Sequence, residues 1–141
     1  MKKLKVVALV TLFCASSLLA DMAVAPNTLP AKIHSFVKQH FKGANIMFAE
    51  RDMTSYDIDL SDGTKIEFNI NGDWTDIDGR YKPIPTTFLP NAVTSKVKAS
   101  QPNAQIIEID RTINGYKFKF NNMMEVYTDA NGNVIGQKFD D

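Results

Sequence analysis

The chain has 141 residues, and its 16 lysines and arginines balance 16 aspartates and glutamates. This length supports one ordinary domain, or two small units that share a core. The zero net charge excludes the basic footprint of a protein that binds nucleic acid. After the first twenty residues, no apolar run approaches the roughly eighteen residues that a bilayer span needs. We therefore expect no membrane span once that first segment is removed.

The first twenty residues have the pattern of a secretory signal peptide. A cationic start is followed by an apolar stretch and then by small residues that lead to Ala20, which is the order that export signals share. We predict a signal peptide over 1–20, cleavage after Ala20, and a periplasmic location in a bacterial cell. Cleavage after Ala25 is the less favourable alternative, because Pro26 would follow the cut. Cys14 lacks the small preceding residue of a lipid-anchor motif, so we expect it to be lost with the signal.

The mature sequence matches itself at an offset of 60 residues without a gap. The matched positions are turn, cap and apolar residues: Leu29-Pro30 with Leu89-Pro90, Tyr56 with Tyr116, and Asn71-Gly72 with Asn131-Gly132. A unit of about 50 residues buries too little apolar surface to be stable alone. We predict an N-terminal extension over 21–28, a first repeat over 29–79, a linker over 80–88 and a second repeat over 89–141, in one cooperative body. The alternative is a chance coincidence of a common pattern.

Each predicted unit begins with a helix and continues with strands. After Leu29-Pro30, apolar residues recur every three or four positions from Ile33 to Phe41, which indicates one face of a helix. Gly43 is a natural stop. The period then changes to two, which predicts strands with one buried and one solvated face. These strands are expected near 46–51, 56–60, 66–70 and 74–77, and again near 106–111, 116–120, 126 and 134–138.

The fold class predicted from this pattern is α+β: a tandem repeat of a helix plus an antiparallel sheet of three or four strands, with the helices on one face. The sequence leaves open whether the two sheets merge into one or pack edge to edge. In either arrangement the polar residues of the strands would form a face without helices.

Four segments together resemble the PepSY-like family of exported bacterial proteins: Leu29-Pro30, Ala44-Asn45-Ile46, the stretch from Tyr56 to Gly63, and the stretch from Ile70 to Trp74. The second unit matches more loosely, because Met123 stands where Gly63 would be. The resemblance implies a tandem fold similar to the beta-lactamase-inhibitor protein. In that architecture helices cover one face of a curved antiparallel sheet, and a partner protein docks on the open concave face.

The sequence offers little catalytic chemistry. His34 and His40 are the only histidines, and their spacing of six residues directs them to different sides of a helix, which argues against a shared metal ion. Motifs for a nucleophile elbow, a phosphate loop or a dinucleotide site are absent from the sequence. We therefore expect no enzymatic activity, no cofactor and no catalytic metal.

Acidic residues in two turns leave an alternative open, a small-ligand or calcium-binding periplasmic protein. Asp57, Asp59 and Asp62 resemble a calcium loop, but Gly63 comes one place late and Phe68 replaces the bidentate glutamate. A second acidic group surrounds Trp74 and consists of Asp73, Asp76 and Asp78.

The main hypothesis is a non-enzymatic periplasmic binding module, inhibitory or regulatory in role, that docks an envelope protein or peptide on the open sheet face. Aromatic residues among mixed charges are typical of such a surface, and the candidate partner-binding residues are Phe48, Trp74, Lys117, Lys119 and Tyr127. The position of Phe48 requires that Met47 and Ala49 point inward, and that of Tyr127 requires that Val126 lie in the core. For Trp74, closing the end of the core is an equal alternative.

Overall fold

The computed structural model of the protein describes residues 21–140. The predicted signal peptide, its cleavage site after Ala20 and Cys14 lie outside the described residues. Within the described part of the chain, neither helix has the length and apolar character to cross a bilayer.

Residues 21–140 form nine strands and two α-helices, so the architecture is mixed α+β and mostly sheet, as predicted. In chain order the elements are β1 (Met22–Ala23), α1 (Ala31–His40), β2 (Ile46–Arg51), β3 (Ser55–Leu60), β4 (Lys65–Asn69), β5 (Trp74–Asp78), α2 (Asn91–Ser100), β6 (Ile106–Arg111), β7 (Gly115–Phe120), β8 (Met124–Asp129) and β9 (Val134–Phe139). A single 3₁₀ turn at Pro26–Thr28 precedes α1.

All nine strands belong to one antiparallel sheet and pair in chain order from β1 to β9. The question left open by the sequence is settled at the junction of β5 and β6, where three residue pairs join the two halves. These pairs are Asp76 with Asp110, Ile77 with Ile109, and Asp78 with Glu108. The sheet is therefore continuous.

Both helices begin directly after a proline, Pro30 or Pro90, which occupies the N-cap position. Proline is tolerated there because its fixed φ suits the start of a helix and its missing N–H would have no partner within the helix. Each helix then buries two residues four positions apart, Ile33 and Val37 in α1 and the corresponding pair in α2. These residues join one core cluster with the inward residues of the strands, among them Ile58, Phe68, Ile77, Phe118 and Val126.

Of the two residues whose inward orientation the outward position of Phe48 was expected to require, Ala49 is fully buried but Met47 is exposed. A bulge between Ile46 and Phe48 inserts Met47 as an extra residue, and its side chain is 65% exposed. The same bulge occurs in β6, but there Ile107 is buried. The linker makes the difference, because the Ile84 N–H donates to the Ile106 carbonyl and, with the bond from the preceding Gly79 N–H to the Ile107 carbonyl, holds that segment over β6.

The two edges of the sheet differ in length and regularity. β1 covers the edge strand β2 only at Glu50 and Arg51. At the other edge, β9 is interrupted by a bulge in which Ile135 is the extra residue, and Lys138 stands on the same strand. Short edge strands, bulges and lysines are the devices by which natural sheets avoid pairing with other chains.

Candidate functional site

Five carboxylates stand next to one another across the outer face of the sheet, which is the face opposite the core cluster. The pairing places Glu50 opposite Asp57, Asp57 opposite Glu67, Glu67 opposite Asp76, and Asp76 opposite Asp110. We call these five residues the carboxylate row. The row has one residue on each of five adjacent strands. Because adjacent strands are about 4.8 Å apart, it spans roughly 19 Å.

A second line of residues runs beside the carboxylate row and has mixed charge. It consists of Phe48, Asp59, Lys65, Asp78, Glu108, Lys119, Glu125 and Lys138, each paired with the next across a strand boundary. Opposite charges facing each other across strands stabilise a sheet, whereas like charges destabilise it. The mixed line therefore contains mostly compensated charges, and the carboxylate row does not.

The two lines enclose a depression of about 290 Å³ on the outer face. Its lining contains eight carboxylate residues and a single basic one, Lys65. Phe48 stands at one end of the depression, and Asp110 lies at the other. The depression is therefore strongly acidic and has one aromatic wall.

The environment of the row raises the pKa of three of its members above their ordinary values. Burial is the largest cause for each, and neighbouring carboxylates add to it: Asp21 acts on Asp57, and Asp57 and Asp76 act on Glu67. At Asp110, burial and a hydrogen bond with the Asp76 carboxyl raise the pKa to about 7. These shifts reflect first the burial of the three carboxyl groups and then the repulsion from neighbouring carboxylates.

On β7 to β9, beyond Asp110, the outer face carries lysines, and each of them forms an ion pair with a carboxylate. Glu125 is the centre of this region, with 6% of its side chain exposed, 3.3 Å from Lys117 Nζ and 3.4 Å from Lys138 Nζ. The Tyr127 hydroxyl also donates to Glu125, at 3.2 Å. Burial acts to raise the pKa of Glu125, but these partners outweigh it and hold the pKa below its ordinary value. Lys119 pairs with Asp140 at 2.6 Å.

The structure places four of the five predicted partner-binding residues on the outer face, in two groups. Phe48 is 44% exposed and lies on β2. Lys117, Lys119 and Tyr127 are half-buried and lie on β7 and β8. Five strand spacings, roughly 24 Å, separate the two groups, and the carboxylate row lies between them.

Trp74 does not belong to this surface. Only 5% of it is exposed, its ring stacks on Tyr116 with centroids 6.2 Å apart, and the Arg111 guanidinium lies 4.1 Å from its centroid. Trp74 pairs with the fully buried Phe68, next to a register shift in β4. The core alternative for Trp74 is therefore the one that the structure supports.

The acidic group predicted around Trp74 is divided between two places. Asp73 lies in the turn after β4 and pairs with Lys32 of α1, whereas Asp76 and Asp78 point to the outer face. Asp62 is used within its own turn, where it accepts the Thr64 N–H at 2.9 Å. A different set comes together at the edge of the sheet: Asp21, Glu50 and Asp57 have carboxylate oxygens within 4.8 Å of one another.

Each of the two histidines on α1 makes a hydrogen bond with a residue outside that helix. His34 is exposed and its Nε2 lies 2.8 Å from the Pro26 carbonyl oxygen. His40 is half-buried, with Nδ1 2.8 Å from the Thr87 hydroxyl, and burial lowers its pKa. The two side chains therefore do not share a site with each other or with the carboxylate row.

The carboxylate row is the feature that sequence analysis missed. The alternation in each strand indicates that Asp57 and Glu67 face solvent, but it does not show which residues of neighbouring strands stand opposite each other. The turn residues at Asp52–Ser55 and Ser61–Thr64 would have predicted that β2 pairs with β3 and that β3 pairs with β4. The extension to Asp110 depends on the pairing of β5 with β6, for which no local signal exists.

Comparison with known proteins finds similar chains among bacterial proteins described as periplasmic. A family model described as "Putative beta-lactamase-inhibitor-like, PepSY-like" matches residues 19–63 and 54–136. A crystal structure of "a putative periplasmic protein of unknown function" from Bacteroides vulgatus ATCC 8482 is 30% identical, with a TM-score of 0.76 over 84% of this chain and 99% of that one. A "putative calcium-regulated periplasmic protein" from Bacteroides thetaiotaomicron is 26% identical, with a TM-score of 0.75 over 84% of this chain and 96% of that one. No curated protein matches the sequence.

Proposed function

The chain belongs to the PepSY-like, beta-lactamase-inhibitor-like family, and we propose that it is an exported, non-enzymatic binding module of the periplasm. Its outer face binds a basic segment of an envelope protein or peptide, and the carboxylate row supplies the complementary charge. The module holds its partner without transforming it, so its role is inhibitory or regulatory.

Export to the periplasm is part of this proposal. The pattern of residues 1–20 supports a signal peptide that is cleaved after Ala20. The similar structures from two Bacteroides species, both described as periplasmic proteins, support the same location.

We further propose that the body is a tandem repeat with both helices on one face. The helices at 31–40 and 91–100 and the bulges at Ile46/Phe48 and Ile106/Glu108 stand 60 residues apart, which equals the offset at which the sequence matches itself. The units are 29–79 and 89–141, joined by the linker at 80–88 and preceded by the extension at 21–28. In this arrangement the helices leave the outer face open.

The carboxylate row is the observation that carries the proposal. Neighbouring carboxylates on adjacent strands repel each other wherever both are ionised, which lowers the stability of the free protein, and a cationic partner would relieve that repulsion. An extended chain rises about 3.4 Å per residue, so about six residues would span the row. Phe48 at one end offers an apolar contact, and Lys117, Lys119 and Tyr127 bound the site at the other end.

A direct test uses a fluorescently labelled six-residue peptide of alternating lysine and alanine. We expect its anisotropy to report binding that weakens as salt is added, because exposed charges are screened. The variant Glu67→Gln/Asp76→Asn should weaken binding by about three- to tenfold, since each exposed ion pair contributes up to about 1 kcal/mol. The matched control is Asp59→Asn, which removes a carboxylate opposite Lys65 in the mixed line and leaves the carboxylate row intact.

Two results would contradict the proposed site. One is equal affinity of the protein for a glutamate–alanine peptide of the same length, and the other is unchanged binding of the lysine peptide to the double variant. A second experiment addresses the ends of the site by capturing partners from an envelope extract with the wild type and with a Phe48/Lys119/Tyr127 triple alanine variant. Identical recoveries would remove these residues from the interface.

Calcium binding is the second candidate function, and two observations favour it. One relative is described as calcium-regulated, and Asp21, Glu50 and Asp57 bring carboxylate oxygens within 4.8 Å of one another. Hard cations such as calcium prefer oxygen ligands of this kind. Calorimetry with calcium chloride tests it, and the absence of both heat and a thermal shift would remove this candidate.

A further inference from the structure

The position of Asp21 is set by the first strand of the sheet. Met22 pairs with Arg51 and Ala23 with Glu50, and the Val24 N–H donates to the Ala49 carbonyl at 2.9 Å. These bonds hold the start of the described chain against β2. Asp21 therefore stands at the rim of the outer face, beside the first two members of the carboxylate row.

Three carboxylates meet at this rim of the part of the chain that the structure describes. The carboxylates of Asp21, Glu50 and Asp57 lie within 4.8 Å of one another. Among the described residues, none of the three forms an ion pair with a lysine, an arginine or a histidine. Carboxylates this close repel one another, so β1 is attached to the sheet at a point of electrostatic strain.

We propose that removal of the signal peptide after Ala20 supplies the cation that this cluster lacks. Hydrolysis consumes one water molecule, leaves a carboxylate on Ala20 and frees an amino group on Asp21. That group is protonated at neutral pH, because an α-amine has an ordinary pKa near 7.7–8.0. Its nitrogen is bonded to the same Cα that carries the Asp21 side chain, and it pairs with the Glu50 and Asp57 carboxylates. This inference rests on the export proposed above.

The choice of cleavage site then determines whether the sheet edge is covered. A cut after Ala20 keeps β1 and places the new ammonium group in the cluster. A cut after Ala25 would delete β1 together with the bond from Val24 to Ala49, leaving the backbone groups of β2 unpaired at that edge. Unpaired strand edges invite association with other chains, so the first cut produces the better-protected protein.

The experiment uses the full chain, exported by a bacterial host with its own leader and purified from the periplasm. N-terminal sequencing and intact mass identify the first residue, which we expect to be Asp21. The α-amine is then acetylated at mildly acidic pH, where lysines stay protonated, and thermal unfolding of the free and acetylated forms is compared at low salt. The variants are Glu50→Gln/Asp57→Asn and, as the matched control, Asp59→Asn on the same strand as Asp57.

Acetylation should lower the melting temperature of the wild type and of Asp59→Asn by about 3 °C, and that of the double variant by less than about 1 °C. After acetylation the double variant should be the more stable protein, because the repulsion has gone with the two carboxylates. Equal losses in all three proteins would overturn the inference and leave export intact. A purified protein that starts at Pro26 would also overturn the inference and leave export intact. A purified protein that retains Met1 would overturn both the inference and the export proposal.

Discussion

Replacing Asp110 with asparagine is expected to remove a pH dependence of stability that arises where the two halves of the sheet meet. Asp110 stands opposite Asp76 at the junction of β5 and β6, which is only three residue pairs long. Its side chain is 22% exposed. Burial and the hydrogen bond with Asp76 raise its pKa from 3.8 to about 7, so the folded protein holds a proton there that the unfolded chain releases.

The sign of the effect follows from this difference in proton binding. Between the ordinary value near 3.8 and the folded value of about 7, the folded state binds more protons than the unfolded state. The free energy of unfolding therefore falls as pH rises through that window and levels off above it. The difference between the two pKa values corresponds to at most about 4 kcal/mol. Only the part of this difference that lies above pH 5 falls within the measured range, and solvent screening of the partly exposed side chain reduces it, so we expect a loss of about 2 kcal/mol between pH 5 and pH 8.

Asparagine keeps the shape and hydrogen-bonding capacity of the protonated acid but cannot ionise. Asp110→Asn should therefore match the wild type near pH 5 and exceed its stability by about 2 kcal/mol at pH 8. Urea unfolding followed by the fluorescence of the single tryptophan measures both values. Asp59→Asn is the control, because the Asp59 side chain is 43% exposed and lies 3.8 Å from Lys65 Nζ. Parallel pH profiles for Asp110→Asn and the wild type would refute the reasoning.

Three further changes test the packing and the buried charge. Gly132→Ala should lower the free energy of unfolding by about 2–4 kcal/mol, because its Cβ would lie 2.6 Å from Val93 Cα. Gly43→Ala, at a similar positive φ but in open space, should lower it by about 1 kcal/mol. Equal losses in urea unfolding would contradict this. Glu125→Gln should cost about 2 kcal/mol. The low folded pKa of Glu125 means that its contribution is present above the ordinary value and disappears as pH falls through the folded one, so the variant should show a flatter acid limb. Trp74→Phe should lose about 1–2 kcal/mol with the ring stack and the cation–π contact, and a neutral result by thermal unfolding would argue against a packed ring.

The local pattern of the sequence was sufficient to predict the elements and most side-chain orientations. The alternation from Tyr56 to Leu60 indicates a strand with Ile58 inward, and the structure buries Ile58 fully. The proline before α1 and the apolar spacing from Ile33 to Val37 likewise mark a helix and its buried side. Both features depend on periodicity within one element, which a sequence displays directly.

Features that depend on two distant segments were not predictable. Met47 and Ile107 stand at equivalent places in a bulge, yet only Ile107 is buried. The linker bonds to β6 beside the bulge, at Ile106, whereas the N-terminal segment bonds to β2 beyond it, at 49–51. The orientation of Trp74 depends on its pairing with Phe68 beside a register shift. Predicting the carboxylate row requires the register of five strands at once. The sequence therefore indicates that its single members face solvent, but not that they form one surface.

The unequal edges of the sheet have a consequence for how the protein behaves at high concentration. A flat nine-stranded sheet with two regular edges could add further molecules end to end and grow into a fibril. The two-residue β1 offers too little backbone to template such growth, and the bulge at Ile135 with Lys138 twists and charges the opposite end. Both ends of the sheet therefore carry features that disfavour head-to-tail pairing of one molecule with the next, while the acidic outer face stays accessible.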